Sequence, residues 1–139
     1  MKKLIAILSI LILNSCGYFN QLDPDKDLPQ IVETELKENQ EIDFEKVTDF
    51  LWDSMIFMSP YSNIKRVKDS LDLDLRNIRG NGIQNTDFYS LVIFLKDKKS
   101  VKIIELNRQF SYQNNELIPV QNSYFKMDEN GILTRVDQN

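Results

Sequence analysis

The sequence predicts a single α+β domain in which an antiparallel sheet of about five strands packs against two or three helices. Three patterns predict this class: an apolar hairpin over residues 88–108, a second hairpin around Gly131, and amphipathic segments at 28–39 and 62–71. Adjacent strands joined by short turns pair antiparallel, and helices with one apolar face cover such a sheet.

Residues 28–39 are predicted to form the first helix. Asp27 is the expected N-cap, with Gln30 completing a capping box. Four apolar side chains recur at helical spacing and define one face: Leu28, Ile31, Val32 and Leu36. Glu33 and Lys37 form a favourable i,i+4 pair on another face. The apolar face is expected to pack on the core, although contact with a membrane surface is an alternative.

The next segment reads as a strand followed by a helix. Residues 51–58 are apolar on both faces, which is typical of a strand covered on both sides. Alternation places Trp52, Ile56 and Met58 on one face, and Leu51, Met55 and Phe57 on the other. Ser62 is the expected cap of a helix that ends at about residue 71.

A polar loop at residues 76–86 separates this helix from the hairpins. Residues 88–95 form the strongest predicted strand, and residues 101–108 return beside it after a charged turn. Residues 123–127 and 132–136 form the second hairpin, in which Gly131 supplies a positive φ.

The first sixteen residues have the pattern of a secretory signal peptide. Lys2 and Lys3 precede an aliphatic run over residues 4–13, and Cys16 follows Asn14 and Ser15. As a helix the run would cover about 15 Å, half of a hydrocarbon core of about 30 Å. The stretch ending at Cys16 resembles the bacterial lipobox, which implies cleavage before Cys16 and a lipid on its thiol.

This interpretation divides the chain into three parts: a signal peptide over residues 1–15, a lipidated tether over 16–27, and one domain over 28–139. The tether contains Asp23, Asp25 and Asp27, which alternate as in a calcium loop. However, Leu28 stands where such a loop needs glycine, and Thr34 where it needs glutamate. A solvated acidic linker is therefore the favoured interpretation.

Composition excludes several classes of function. Without residues 1–15 the chain keeps 15 basic and 21 acidic side chains and a net charge of −6, which argues against nucleic-acid binding. The chain has no histidine and one cysteine, Cys16. Without histidine the chain lacks the commonest general base, and lipidation of Cys16 would leave no free thiol. We therefore expect no cofactor, no metal site and no enzymatic activity.

The middle of the chain resembles a group of small, largely uncharacterised bacterial lipoproteins. Their pattern is a Trp-Asp strand that runs into a Pro-Tyr-Ser/Thr turn and then a helix, as at Trp52-Asp53 and Pro60-Tyr61-Ser62 here. The similarity spans roughly residues 44–127, although this chain has Ser54 where the group often has lysine. The resemblance implies a lipid-anchored small α+β domain and no particular activity.

Asp53 is the best candidate for a perturbed carboxylate. In a buried strand its pKa would rise unless a cation pairs with it, and Glu105 or Asp43 is a possible second carboxylate. Such a pair would support a small envelope hydrolase. The alternative, which we favour, is that Asp53 accepts backbone hydrogen bonds at the end of a strand.

Four lysines near the first hairpin are the candidate partner-binding residues: Lys96, Lys98, Lys99 and Lys102. The 76–86 loop is a second candidate, because function concentrates on loops held by a rigid scaffold. The sequence therefore predicts a lipid-anchored cell-envelope protein, with the outer membrane favoured, that binds a protein partner without catalysis. An immunity-type inhibitor of a toxin is one form of this function.

Overall fold

The computed structural model of the chain describes residues 20–136. The predicted signal peptide and Cys16 lie outside the described residues. The α+β class is confirmed, but the described part of the chain contains seven strands in two antiparallel sheets rather than about five in one sheet.

Three α-helices are present among the described residues: α1 (Leu28–Asn39), α2 (Phe44–Val47) and α3 (Ile64–Leu71). The strands are β1 (Glu41–Asp43), β2 (Ser54–Met58), β3 (Tyr89–Lys96), β4 (Lys99–Asn107), β5 (Ile118–Pro119), β6 (Tyr124–Met127) and β7 (Leu133–Arg135). Three short 3-10 turns cover Arg76–Ile78, Gly82–Asn85 and Val120–Asn122.

The larger sheet has the strand order β4-β3-β2-β5, and the smaller sheet has the order β1-β6-β7. Both predicted hairpins are present, as β3–β4 and β6–β7. The larger sheet is the middle layer of the domain, because its two faces contribute to two different cores. This arrangement explains why residues 54–58 are all buried.

The first core lies between the larger sheet, the smaller sheet and α1. Its buried side chains include Val32, Leu36, Phe44, Met55, Phe57, Phe94, Ile104 and Phe125. The second core lies between the other face of the larger sheet, α3 and the 73–85 segment. Its buried side chains include Ile56, Met58, Ile64, Leu75, Ile83, Ile93 and Ile103.

The predicted N-cap position is confirmed for α1, although without its side-chain hydrogen bond, and is wrong by one residue for α3. Asp27 makes no capping hydrogen bond at α1; instead the Asp25 carboxylate accepts hydrogen bonds from the backbone N–H groups of Asp27 and Leu28. At α3, Asn63 rather than Ser62 accepts a hydrogen bond from the Arg66 N–H. In both cases, a residue one or two positions away has a side-chain oxygen that can accept from the same N–H donors, so local sequence did not distinguish the two side chains.

The start of β2 also differs from the prediction. β2 begins at Ser54, so Trp52 lies in the irregular segment before it and packs in the first core with Met55, not with Ile56 and Met58. The Leu51 side chain is 85% exposed rather than buried. Strict alternation fails here because the backbone before Ser54 is not extended in the sheet.

Candidate interaction surface

A groove of about 410 Å³ opens between α3 and the 75–84 segment. Ile64 and Leu75, both buried members of the second core, supply its apolar lining. Lys65, Lys68, Arg79 and Gln84 complete the wall. The groove therefore combines an apolar floor with three cationic side chains, and it lies on the face of the domain that the second core supports.

The helix places two of these cations on one side. Lys65 and Lys68 are three residues apart on α3, so they project from the same face of the helix. Both contact Asp69, with Nζ to carboxylate distances of 2.7 Å from Lys65 and 3.3 Å from Lys68. The Lys65 hydrogen bond, followed by the Lys68 one, lowers the pKa of Asp69. The single negative charge of Asp69 thus neutralises only one of the two lysines, and a net positive charge remains on this face of α3.

Arg79 comes from the 76–86 segment, which the sequence predicts to be a polar loop. The loop is in fact two 3-10 turns, held by the buried side chains of Ile78 and Ile83. Between them, the Asn81 side chain accepts a hydrogen bond from the Ile83 N–H. Arg79 is therefore displayed by a fixed turn. Sequence reasoning missed it, because nothing local relates it to α3.

Tyr61 lies next to the 82–85 turn in an unusual backbone conformation. Its φ is 63°, its side chain is 65% exposed, and its N–H donates to the Ile83 carbonyl at 2.9 Å. A bulky residue at positive φ costs of order 1–3 kcal/mol, and such strain concentrates at functional positions. The exposed ring is therefore available at the same end of the domain as Arg79 and Gln84.

The charge of this region is opposite to that of the rest of the domain. Residues 60–86 carry five basic and three acidic side chains, a net charge of +2. The remaining described residues carry ten basic and seventeen acidic side chains, a net charge of −7. The groove is consequently an isolated cationic region on an acidic protein.

The four candidate lysines lie at the β3–β4 turn and along β4. Lys96 lies 3.7 Å from Asp53, and Lys98 lies 2.7 Å from Asp72. Lys102 lies further along β4, where its Nζ is 2.9 Å from the Asp25 carboxylate and 4.5 Å from the centre of the Phe50 ring. Lys99 begins β4, where it pairs with Asp74 in an isolated bridge. Three of the four ammonium groups therefore contact carboxylates of the chain itself.

Asp53 stabilises the β3–β4 turn. One carboxylate oxygen accepts a hydrogen bond from the Asp97 N–H at 2.8 Å, and the other accepts one from the Ser54 hydroxyl at 2.9 Å. The Asp97 N–H is the main reason that the pKa of Asp53 is lowered; Ser54 and Lys96 add to the effect. The side chain is 39% exposed. A general acid needs the opposite shift, so this geometry supports the backbone-binding interpretation.

The other two candidate carboxylates are held elsewhere. Glu105 accepts a hydrogen bond from the Asn81 side chain at 3.0 Å, and it lies opposite Leu91, toward the far end of the β3–β4 hairpin from Asp53. Asp43 pairs with Lys46 at 2.9 Å beside the smaller sheet. The structure therefore does not bring Asp53 together with either proposed catalytic partner.

Within residues 20–136, no three His, Cys, Asp or Glu side chains are grouped as metal ligands. None of the helices in this part of the chain is long and apolar enough to cross a membrane.

Comparison of the chain with protein-family models, with curated proteins and with solved structures finds no match. The resemblance to small bacterial lipoproteins therefore stays a prediction.

Proposed function

We propose that the protein is a lipid-anchored lipoprotein of the bacterial cell envelope, whose domain binds a protein partner without catalysis. The observation that supports a binding role best is the cationic groove between α3 and the 75–84 segment. In this proposal the groove docks an acidic segment of the partner. An inhibitor of the immunity type is one protein that would use such a surface.

The lining of the groove has the chemistry of a protein-binding surface. Ile64 and Leu75 form the buried apolar floor, and Arg79 in the wall belongs to a residue type enriched at interface hot spots. The exposed Tyr61 is another such residue and lies outside the lining, next to the 82–85 turn. Lys65 and Lys68 add positive charge at the rim, where complementary charges steer association and reject wrong partners. A partner that presents carboxylates around one apolar side chain would match both features.

The anchor rests on the amino-terminal sequence. The basic head, the aliphatic run and Cys16 are spaced as in a lipoprotein signal peptide, which would leave Cys16 as the first residue of the mature chain. Gly17 follows it, rather than the aspartate associated with inner-membrane retention in enteric bacteria. The outer membrane is therefore the favoured location in a host of that kind.

Lipidation is tested by Cys16→Ala. The wild-type protein should incorporate labelled fatty acid and fractionate with membranes, whereas Cys16→Ala should lose both properties. The mass of the mature protein gives an independent check. A mature form that keeps residues 1–15, or that carries no acyl chain, would show that the anchor does not exist.

Partner binding is tested by affinity capture of the tagged protein from cross-linked envelopes, followed by mass spectrometry. The groove variant Lys65→Glu, Lys68→Glu, Arg79→Glu should lose the specific partner. The matched control, Lys96→Glu, Lys98→Glu, Lys99→Glu, makes the same change in net charge at the first hairpin and should keep it.

The two charge-reversal variants decide between the two surfaces. Loss of the partner only with the hairpin variant would move the docking site to the lysines around the β3–β4 turn. Absence of any specific partner, together with a hydrolytic turnover that Asp53→Asn eliminates in a folded domain, would favour the hydrolase instead.

A further inference from the structure

The residues before α1 are bound to the domain along an edge of the larger sheet. We call residues 21–28 the strap. The Leu22 N–H donates to the Asn77 carbonyl at 2.7 Å, and the Asp25 N–H donates to the Ile103 carbonyl at 2.9 Å. The strap therefore runs from the 76–78 turn to the outer edge of β4.

Side chains hold both halves of the strap. The Gln21 amide donates to the Arg76 carbonyl at 3.0 Å, and its oxygen accepts from the Gly80 N–H at 3.0 Å. Leu22 packs against the second core. Asp25 forms the ion pair with Lys102 and accepts the Leu28 N–H at the start of α1. Residues 21–27, which the sequence analysis assigned to the tether, thus contribute contacts to the folded domain.

The strap shortens the connection between the lipid and the domain. An extended chain spans at most about 3.6 Å per residue. The predicted tether would allow Leu28 to lie about 43 Å from Cys16, whereas Gln21, the first residue of the strap, can lie at most about 18 Å from Cys16. A domain of this size is about 35 Å across, so the remaining connection is shorter than the domain itself.

We propose that the strap fixes which edge of the domain meets the membrane, namely the β4 edge of the larger sheet along which the strap runs. This inference rests on the proposed lipidation of Cys16. Because Gln21 is bound to the domain at the backbone of Arg76 and Gly80, a lipid within about 18 Å of Gln21 keeps the strap beside the bilayer surface. The partner of the strap is the bilayer itself. β5, at the opposite edge of the larger sheet, then faces away from the membrane.

Charge contributes little to this orientation. The exposed cations near the strap, Lys26, Arg76 and Arg79, are accompanied by the exposed acids Asp23 and Asp27. Arg76 is also paired with Asp74 at 2.8 Å. The connection acts through its length, and the orientation should therefore persist at an ionic strength that screens surface charges.

The test uses the full mature lipoprotein, purified from membranes and reconstituted in vesicles that carry an acceptor dye on the lipid headgroups. A donor dye is attached to one introduced cysteine, Asp23→Cys in the strap or Gln121→Cys in the turn after β5, and both positions are exposed. A lipidated Cys16 cannot react with the dye. Energy transfer from the Asp23→Cys label should be several times more efficient than from the Gln121→Cys label, at both low salt and about 0.5 M salt.

The control lengthens the connection without touching the strap, by inserting about ten Gly and Ser residues between Asn20 and Gln21. This insertion should reduce the difference between the two labels several-fold while the domain stays folded. Gln21→Ala with Leu22→Ser, which loosens the first half of the strap, should change the transfer in the same direction.

Each outcome separates the two proposals. A protein that fails to bind vesicles, or whose Cys16 reacts with the dye, contradicts the lipid anchor. A lipidated, vesicle-bound protein with equal transfer from both labels contradicts the orientation alone. A difference that salt abolishes also contradicts it, because attraction by surface charge would then be the cause.

Discussion

Trp52 packs in the first core although it lies outside any strand. Its ring meets the Phe94 ring edge-on, with 5.1 Å between their centres, and its indole N–H donates to the Thr48 hydroxyl at 2.8 Å. The residue is 8% exposed. The contact with Thr48 satisfies the polar end of the indole, so the whole side chain is accommodated at the border of the core.

Trp52→Ala should therefore lower the free energy of unfolding by about 3–5 kcal/mol, because it removes a large buried ring and leaves a cavity. Urea denaturation followed by far-UV circular dichroism measures the change. The adjacent Leu51→Ala is the control and should stay within about 0.5 kcal/mol of wild type, since Leu51 is 85% exposed. A loss below about 1 kcal/mol for Trp52→Ala would show that the ring is not part of the core.

At the scale of the elements, the β3–β4 turn is strained by its own residue types. Asp97 and Lys98 have φ angles of 49° and 65°, as in the two-residue turns that suit the twist of a hairpin. Asparagine and glycine are the preferred residues for such positions. Asp53 offsets part of this strain, because its carboxylate accepts a hydrogen bond from the Asp97 N–H.

Lys98→Gly should raise the free energy of unfolding by about 0.5–1 kcal/mol, because glycine adopts positive φ without a clash at Cβ. The ion pair with Asp72 that this change removes is exposed and contributes little. Thermal and urea denaturation measure the effect. Lys99→Gly, one residue later in β4, should destabilise the protein instead. Destabilisation by Lys98→Gly would mean that the turn relaxes to negative φ in solution.

The strap should depend on pH through Asp25. The Leu28 N–H and the Lys102 ammonium lower the pKa of this carboxyl group in the folded protein. A lowered pKa means that the charged group stabilises the fold above the ordinary value of about 3.9, and that this stabilisation is lost as the pH falls through the folded-state value. Asp25→Asn keeps a capping oxygen and removes the charge.

The free energy of unfolding of Asp25→Asn should therefore be lower than that of wild type at neutral pH, and the difference should shrink as the pH falls below about 4. Urea denaturation of both proteins across this range measures it, and the subtraction cancels the other carboxylates. A difference that stays constant with pH would assign the effect of Asp25 to hydrogen bonding alone.

At the scale of the molecule, one sheet supports two cores. Successive residues of β3 alternate between them, with Val92 and Phe94 in the first core, and Ile93 and Leu95 in the second. Because both cores depend on the same backbone, neither can be lost without exposing one face of the sheet. The domain should therefore unfold as one cooperative unit.

Leu75→Ala tests this expectation from the second core. Leu75 is fully buried, so its truncation should cost about 2–5 kcal/mol. The only tryptophan, Trp52, reports on the first core by fluorescence. The fluorescence and circular dichroism transitions should shift together in the variant. Separate transitions, with Trp52 keeping its native signal after ellipticity is lost, would show that the cores unfold independently.

Local patterns in the sequence predicted the elements whose partners are close along the chain. The β3–β4 and β6–β7 hairpins, α1 and α3 follow from alternation, helical spacing and turn residues within about a dozen positions. The α+β class follows from the same elements. The pairing of Glu33 with Lys37 was predictable for the same reason and is present at 3.7 Å.

Tertiary structure alone decided the features that join distant residues. The strap depends on Asp25 and Lys102, which are 77 positions apart, and the β3–β4 turn depends on Asp53 and Asp97, which are 44 apart. The groove likewise requires α3 and Arg79 to pack on one face of the sheet. Periodicity reports only which side of an element is apolar, and several partners can cover that side equally well. Which partner does so is set when all elements pack together, and that step placed the groove and the strap.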